Sequence, residues 1–261
     1  MSILPTQITK RNISINSLRW LLIGEPKIGK TTLLSGFPNL LLLATEKRYT
    51  AHDFHVVNVI SWKKEPTMKY GIEPNGVQNV AFVEIIDEIC KGKHEFKTIA
   101  IDTIDVLTTL CVDHVCRHFK IKHVSDLGFG KAYDMIKAEL NAELNKLFMT
   151  SYGLIFTSHV KTREIIKPQG GTLTKMTSSL INQARDVVHP KVSAIGLMKA
   201  TTIKLADNKF KEERVISFKP SELEEVGDGD GVMPPMVITS SNPKETYELI
   251  KKCYEDNAKK V

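Results

Sequence analysis

The sequence predicts an α/β fold with a central, mostly parallel β-sheet. Short apolar runs alternate with stretches of helical periodicity from about residue 18 to residue 160, which is the order that builds such a sheet. The runs are nearly continuous in Leu, Ile and Val, as expected for strands that are buried on both faces. A glycine-containing segment, 24–32 (GEPKIGKTT), joins the first run to a helical stretch.

The predicted elements follow one another without an internal repeat. Each strand is a short apolar run bounded by polar residues, glycine or proline, and each helix shows apolar residues every three or four positions. The predicted strands are 18–24, 39–45, 55–60, 96–103 and 152–159. One predicted helix begins at residue 30. The other predicted helices span 77–92, 104–118 and 131–150.

The pattern changes after residue 160. We interpret 162–180 as a polar loop, and 187–198, 200–206 and 213–219 as strands. Close-set strands of this kind favour antiparallel additions to one edge of the sheet. An acidic loop (221–231) precedes a capped helix. We therefore divide the chain into an N-terminal extension (1–16), a main domain (17–242) and a C-terminal helix (243–261) that packs on the domain or extends from it.

Composition places the chain among ordinary globular proteins. Its 261 residues are 42% apolar and 25% charged, which is enough to bury a core without disulfides. Four cysteines without framework spacing suit a reducing compartment. The first residues lack a signal-peptide pattern, and no apolar run approaches the roughly 18 residues of a membrane span. We expect a cytoplasmic protein with no membrane partner.

The positive charge is concentrated in one stretch. The formal net charge is +6, and residues 160–219 alone contain 12 basic and 5 acidic residues. A local field of this sign attracts polyanions such as nucleic acid, although a solvated lysine-rich surface has the same composition.

Residues 24–31 match the phosphate-binding pattern G-x-x-x-x-G-K-[ST], which is called a P-loop, and lie between a strand and a helix. Gly24 and Gly29 permit backbone turns that a Cβ would obstruct, so successive N–H groups converge on a phosphate. In bound Mg-ATP, we expect Lys30 to reach the β- and γ-phosphate oxygens and Thr31 to ligate Mg²⁺. The predicted nucleotide-binding residues are Gly24, Glu25, Pro26, Lys27, Ile28, Gly29, Lys30, Thr31 and Thr32.

Acidic residues at two strand ends are candidates for the chemistry. Asp102 closes an apolar strand and is predicted to hold Mg²⁺ directly or through water, although an Asp that caps the next helix looks the same. Glu46 ends the strand that follows the P-loop helix, so its carboxylate is expected at the same sheet edge and can polarise an attacking water. Asp105 is interpreted as a surface or capping residue.

Ser158 and His159 end a later core strand at the same predicted edge. A side chain at this position can sense whether a γ-phosphate is present, although a single histidine is equally often structural.

These features, in this order, resemble the RecA-like ATPases. More closely, the chain is similar to the short one-domain branch encoded by bacteriophages, the RecA-like single-strand annealing ATPases. The likeness extends through 124–147 and 213–222, and so covers most of the chain. It implies a three-layer P-loop NTPase of RecA-like type. The three residues 47–49 after Glu46 depart from the small residues that are common there.

The resemblance also implies a function. Such proteins bind single-stranded DNA, assemble as a ring or filament of identical subunits, and couple slow, DNA-stimulated ATP hydrolysis to annealing or recombination. A single-stranded-DNA-binding protein is a further expected partner, and a phage-encoded protein would act in the bacterial host cell. By this resemblance, the catalytic residues are Glu46 and Lys30. His159 matches the residue that links nucleotide state to the DNA loops.

The loop after His159 is similar in position to the second DNA-binding loop of recombinases. It lacks aromatic residues, so its binding to DNA is expected to be mainly electrostatic. A mobile surface loop is the alternative. The candidate DNA-binding residues are Lys161, Arg163, Lys167 and Lys175. A neighbouring subunit is expected to complete the ATP site, and the candidate residues that act in trans are Lys199, Lys204 and Arg214.

Three other classes of protein share the P-loop. A P-loop nucleotide or small-molecule kinase usually closes several arginines over the transferred phosphoryl group, and this chain has only seven arginines, widely spaced. A helicase-type motor would share the core but commonly carries an added domain. A scaffold would bind ATP without hydrolysing it.

Two further clusters contain residue types that bind metal ions in other proteins. Cys111, His114 and His118 share one helix face, with Cys116 and His123 nearby, but their spacing fits no standard zinc module. The segment 227–231 (GDGDG) lacks the glutamate at the twelfth position of a calcium loop, so we interpret it as a turn.

Overall fold

The computed structural model describes residue 4 and residues 14–167, 170–204 and 210–259, except for the side chains of residues 203 and 204. Helices and strands alternate along most of this length. The helices are α1 (Lys30–Leu34), α2 (Phe82–Cys90), α3 (Ile104–His118), α4 (Lys131–Phe148), α5 (Asn182–Val188) and α6 (Pro243–Ala258). The strands are β1 (Arg19–Gly24), β2 (Leu40–Ala44), β3 (His55–Ser61), β4 (Gly71–Ile72), β5 (Gln78–Ala81), β6 (Thr98–Asp102), β7 (Gly153–Ile166), β8 (Thr172–Ser178), β9 (Ala194–Lys204), β10 (Phe210–Ser217), β11 (Gly227–Asp228) and β12 (Met236–Ile238).

The strands join into one sheet with a parallel centre. Its order is β12-β10-β9-β1-β7-β6-β2-β3-β5-β4, while β8 pairs with β7 and β11 with β9. The strands from β9 to β5 are parallel to their neighbours in this order. Strands β10, β11 and β12 add to it in antiparallel pairs. The predicted parallel sheet with antiparallel strands on the C-terminal side is confirmed.

Helices cover both faces of the sheet. On one face, α2, α3, α4 and α5 enclose a core that includes Leu21 and Ile23 of β1. On the other face, α1 and α6 enclose a core that includes Trp20 and Leu22 of the same strand. Each fully buried Leu or Ile stabilises the fold by about 1.5–3 kcal/mol relative to an exposed one. The predicted three-layer fold of a P-loop NTPase is therefore confirmed.

The C-terminal helix α6 completes the second core. Tyr247, Ile250 and Tyr254 bury one side of it, and the Asn242 side chain accepts a hydrogen bond from the Lys244 N–H at 3.0 Å to cap its start. The backbone of α6 also lies against Gly36, just after α1. A Cβ at Gly36 would come within 2.2 Å of the Pro243 carbonyl oxygen. Only glycine permits this approach.

Three sequence-based assignments were wrong in detail. The segment 77–92 begins as strand β5, which pairs with β3, before it becomes α2. The segment 187–198 begins inside α5, a short helix that turns the chain back toward the sheet. The loop assigned to 162–180 is largely a β-hairpin, because β7 continues to Ile166 and β8 returns along it. Local periodicity is weak in such short pieces, and pairing with a neighbouring strand decides their conformation.

The predicted N-terminal extension lies mostly outside the described residues. Its last residues, with Ile15 buried, form a short 3₁₀ helix (Ile15–Ser17) that leads into β1. None of the helices that the structure describes is both long and apolar enough to span a membrane.

Candidate functional site

The carboxyl ends of the parallel strands bring the candidate residues to one edge of the sheet. Strand β7 lies between β1, which leads into the P-loop, and β6, which ends at Asp102. In register, Gly24 is opposite His159, and Ala44 is opposite Asp102. Ligands of open α/β sheets bind at this kind of edge.

The P-loop takes the backbone path that its sequence predicts. Gly29 has φ = 111° and caps α1, and a Cβ there would lie 3.0 Å from a guanidinium nitrogen of Arg214. At Gly24, a Cβ would lie 2.8 Å from the Met198 carbonyl oxygen on β9. Glycine at 24 therefore serves the packing of the strand, while glycine at 29 serves a left-handed turn.

Lys30 is a buried cation at the centre of the loop. Its ammonium donates hydrogen bonds to the carbonyl oxygens of Gly24 at 2.8 Å and Glu25 at 2.9 Å, and the residue is only 6% exposed. Burial lowers the pKa of Lys30, and the nearby carboxylates of Asp102, Asp105 and Glu46 oppose this effect. The loop thus positions a charge that an anion can reach.

Asp102 is a buried carboxylate with two hydroxyl donors. Thr31 Oγ1 donates to Asp102 Oδ2 at 2.6 Å, and the buried Thr157 hydroxyl of β7 donates to Oδ1. Thr45 holds the following backbone, since its hydroxyl accepts from the Thr103 N–H at 2.9 Å. Hydroxyl and carboxylate oxygens are the ligands that Mg²⁺ prefers, and the Thr31–Asp102 pair fits that donor chemistry.

Glu46 is placed at the rim of the same cavity. Its carboxylate is 3.2 Å from the Arg48 guanidinium, and its side chain is 27% exposed. Nearby, the Thr32 hydroxyl lies 3.1 Å from His52 Nε2. The cavity has a volume of about 260 Å³ and is lined by Lys27, Gly29, Lys30, Thr31, Thr32, Glu46, Arg48, Ala51, His52, Asp102, Thr103 and His159. The structure therefore brings Lys30, Thr31, Glu46, Asp102 and His159 together.

The two predicted sensor residues are placed differently. His159 lines the cavity, whereas Ser158 is fully buried and donates to Asp105 Oδ1 at 3.0 Å. Any sensor role of Ser158 is therefore indirect. The Nδ1 atom of His159 is buried without a hydrogen-bond partner in the part of the chain that the structure describes.

Asp105 links α3 to both strands of the hairpin. The Ser158 hydroxyl, the His159 backbone N–H at 3.1 Å and the Ser179 hydroxyl all donate to its carboxylate. In addition, the Ser179 N–H donates to the His159 carbonyl at 2.8 Å. The interpretation of Asp105 as a surface or capping residue was wrong. Its partners lie more than 50 positions away, so no local pattern indicated them.

The candidate DNA-binding residues lie on the β7–β8 hairpin. Lys161 and Arg163 both donate to the Leu180 carbonyl, at 3.4 Å each. Lys167, near the hairpin tip, pairs with Glu222 at 2.9 Å. Lys175 of β8 is directly opposite Arg163 in the ladder. A DNA-binding role for all four remains a prediction.

The candidate residues for action in trans are scattered. Lys199 pairs with Glu224 of its own chain. Arg214 of β10 lies beside the P-loop of its own chain, with a guanidinium nitrogen 3.5 Å from the Ile28 carbonyl oxygen. The side chain of Lys204 lies outside the described residues. The sequence did not indicate the contact between Arg214 and the P-loop.

The structure gives no support to the metal clusters that were weighed. Within residue 4 and ranges 14–167, 170–204 and 210–259, no group of three His, Cys, Asp or Glu side chains is arranged to hold a metal ion. Cys111 is fully buried, which raises the pKa of its thiol and disfavours the thiolate that a metal needs. In the segment 227–231, Asp228 accepts the Asp230 and Met233 backbone N–H groups, as in a turn.

The P-loop, the buried acid at the end of β6 and the cavity between them define a nucleotide-binding P-loop ATPase. A family model described as "AAA domain" matches residues 16–227, and the chain belongs to this family. Among solved structures, the chain is similar to the flagellar accessory protein FlaH from Methanocaldococcus jannaschii. The two are 9% identical, with 85% of this chain and 84% of that chain covered and a TM-score of 0.37. No curated protein matches the chain.

Proposed function

We propose that this chain is a RecA-like, Mg²⁺-dependent ATPase that binds single-stranded DNA and promotes annealing or recombination. One observation supports the proposal most. Strand β7 runs without interruption from the nucleotide cavity, at His159, to the basic hairpin that carries Lys161 and Arg163. A change at the γ-phosphate position therefore has a direct structural route to a polyanion-binding surface.

The site residues have distinct roles in this proposal. Lys30 would exchange its carbonyl partners for phosphate oxygens, and Thr31 and Asp102 would hold Mg²⁺, which would supply charge neutralisation at the phosphates. Glu46 orients and deprotonates the attacking water. His159 reports the presence of the γ-phosphate to the hairpin. Subunits assemble as a ring or filament, so that a basic residue of a neighbour completes the site.

The experiment is ATP hydrolysis measured with and without single-stranded DNA, with Lys30→Ala as the blank. We expect DNA to stimulate a slow turnover that requires Mg²⁺ and is absent in the blank. DNA affinity should also fall steeply with salt, because the proposed contacts are to phosphates. A rate of ATP turnover that is unchanged by DNA but rises with a nucleoside or nucleotide acceptor would identify a kinase instead.

Association of the chain is tested separately by light scattering after size exclusion. We expect a mass above that of the monomer when a non-hydrolysable ATP analogue and single-stranded DNA are both present. A monomer under all conditions would remove the trans-acting part of the proposal. The ATP site and the DNA-binding surface would still be tested by the turnover assay.

A further inference from the structure

A shallow depression lies on the surface beside the β7–β8 hairpin. It has a volume of about 440 Å³ and is lined by Tyr133, Lys161, Arg163, Ile181, Asn182 and Gln183. None of these residues lines the nucleotide cavity. Three elements that are distant in sequence, α4, β7 and α5, therefore form it together.

The two cations in this surface donate hydrogen bonds to backbone carbonyl groups. Lys161 donates to the neutral carbonyl oxygens of Ser179 and Leu180, and Arg163 to that of Leu180. Neither side chain forms an ion pair with any residue that the structure describes. Burial lowers the pKa of Lys161, and the positive charges of Arg163 and Arg185 lower it further. An anion bound here would offset that repulsion.

Aromatic rings accompany the charges. Tyr133 is 43% exposed on the first turn of α4, beside Lys161 and Arg163. Four residues earlier, Phe129 is fully exposed and has a left-handed backbone, with φ = 58°, between two glycines. A Phe in that conformation buries no apolar area against the described residues and strains the backbone, so it adds nothing to the stability of that part of the fold.

We propose that this surface is a subsite that binds a nucleotide unit of single-stranded DNA, separate from the ATP cavity. Tyr133 stacks on a base, Lys161 and Arg163 bind the flanking phosphates, and the amides of Asn182 and Gln183 face the base edges. Phe129 offers a platform to the adjacent base. The inference rests on the proposed DNA-binding function and adds to it, because the aromatic groups missing from the hairpin sequence come from a different segment.

The chemistry of the lining favours DNA over a second copy of this chain. Lys161 and Arg163 form no ion pair within the described residues, and two such cations in a shallow depression oppose association with another basic subunit, since the chain carries a net charge of +6. A base beside a phosphate matches an aromatic ring beside a guanidinium and an ammonium group.

The test measures the affinity of a fluorescein-labelled oligothymidine by anisotropy, over a series of salt concentrations. The variants are Tyr133→Ala, Tyr133→Trp and Lys161→Ala. Phe210→Ala is the matched control, because Phe210 is an exposed aromatic residue on β10 outside this surface. Thermal melts of each variant, and its mass by light scattering, accompany the binding curves.

We expect Tyr133→Ala to weaken binding by about 5- to 150-fold with an unchanged salt slope, since stacking is lost and no phosphate contact is. Tyr133→Trp should retain affinity. Lys161→Ala should reduce the slope of log K against log salt by about 0.7. If the wild-type protein does not bind, the proposed function fails and the subsite with it. If it binds and Tyr133→Ala matches the Phe210→Ala control, the subsite alone is wrong. A Tyr133→Ala variant that changes only the mass of the assembly would identify a subunit interface instead.

Discussion

Asp102 receives hydroxyl donors from both sides, Thr31 of the P-loop helix and Thr157 of the central strand. The arrangement fixes the carboxylate before any cation or phosphate arrives, so little reorganisation accompanies binding. Among the described residues, by contrast, Glu46 is held by a half-exposed ion pair with Arg48. An exposed pair of this kind contributes at most about 1 kcal/mol, which leaves Glu46 free to turn toward a water.

Replacing Glu46 by Gln is therefore expected to separate binding from hydrolysis. Gln keeps the size of the side chain but cannot accept the proton of the attacking water, so turnover should fall by about 10²- to 10⁴-fold. ATP affinity, measured with a fluorescent analogue, should stay within about twofold of wild type. Arg48→Ala is the control that breaks the ion pair but leaves the carboxylate. Normal turnover in Glu46→Gln would exclude this catalytic assignment.

Asp105 of α3 is hydrogen-bonded to His159, which lines the nucleotide cavity, and to Ser179 at the end of the hairpin. In Asp105→Asn, the new amide NH₂ group must face either the His159 N–H or the hydroxyls that donate to the carboxylate. The free energy of unfolding should therefore fall by about 1–3 kcal/mol. We expect ATP binding to persist, while the ratio of DNA affinities with and without an ATP analogue moves toward one. Asp113→Asn, on an exposed position of the same helix, is the control. Lower stability with an unchanged ratio would show that Asp105 is only structural.

The sequence predicted the site residues that have a local pattern and missed those that do not. Lys30 and Thr31 belong to a fixed motif, and Asp102 ends an apolar run, so each has a signal within a few positions. Arg214 meets the P-loop across 186 positions, and its contact exists only after the strands pair. Thr157 did leave a signal, a polar residue inside an apolar strand, since buried hydroxyls need partners.

The two long central helices, α3 and α4, were predicted to within two residues at each end. The helix at 104–118 is α3 without any shift, because it is long, capped by Thr103 and periodic. The strand β5 and the helix α5 were missed, since each has fewer than eight residues and takes its conformation from neighbours. The hairpin was missed because its strands are largely polar and show no regular alternation of apolar and polar residues.

The approach of α6 to Gly36 gives a prediction for packing between elements. In Gly36→Ala, the new methyl group meets backbone atoms of Pro243 and Lys244 that cannot rotate away, so α6 must shift. We expect a loss of about 1–3 kcal/mol in the free energy of unfolding, measured with urea. The control is Gly227→Ala, where a Cβ has open space. Equal stability of the two variants would show that α6 adjusts without cost.

The free energy of unfolding of the whole molecule should depend on pH through the protonation of His189. Burial, followed by the charges of Arg185 and Arg163, lowers the pKa of this histidine to about 4. Its ring nitrogen Nε2 is 3.1 Å from the Ser178 hydroxyl, and Glu225, 3.8 Å from Nδ1, is occupied by Arg185. Since the unfolded chain takes up the proton near pH 6.5, neutral His189 favours the folded state above that pH.

This contribution is lost as the pH falls from about 6.5 to 4, at up to about 1.4 kcal/mol per pH unit. Urea unfolding at several pH values measures the slope, and His189→Asn supplies a chain without this titration. We expect the slope to be shallower in the variant over that range. Parallel slopes would mean that other groups account for the acid sensitivity.

Strand β7 changes partners at His159. Its ladder pairing with β6 ends at Phe156 and that with β1 ends at His159, whereas from Val160 onward β8 is its ladder partner among the described strands. Amide hydrogens of the first half are therefore protected by the global free energy of unfolding, and those of the second half only by local opening of the hairpin. We expect the boundary between slow and fast hydrogen exchange at His159, which lines the nucleotide cavity. An occupied cavity would thus be visible as the distance to which protection extends along this one strand.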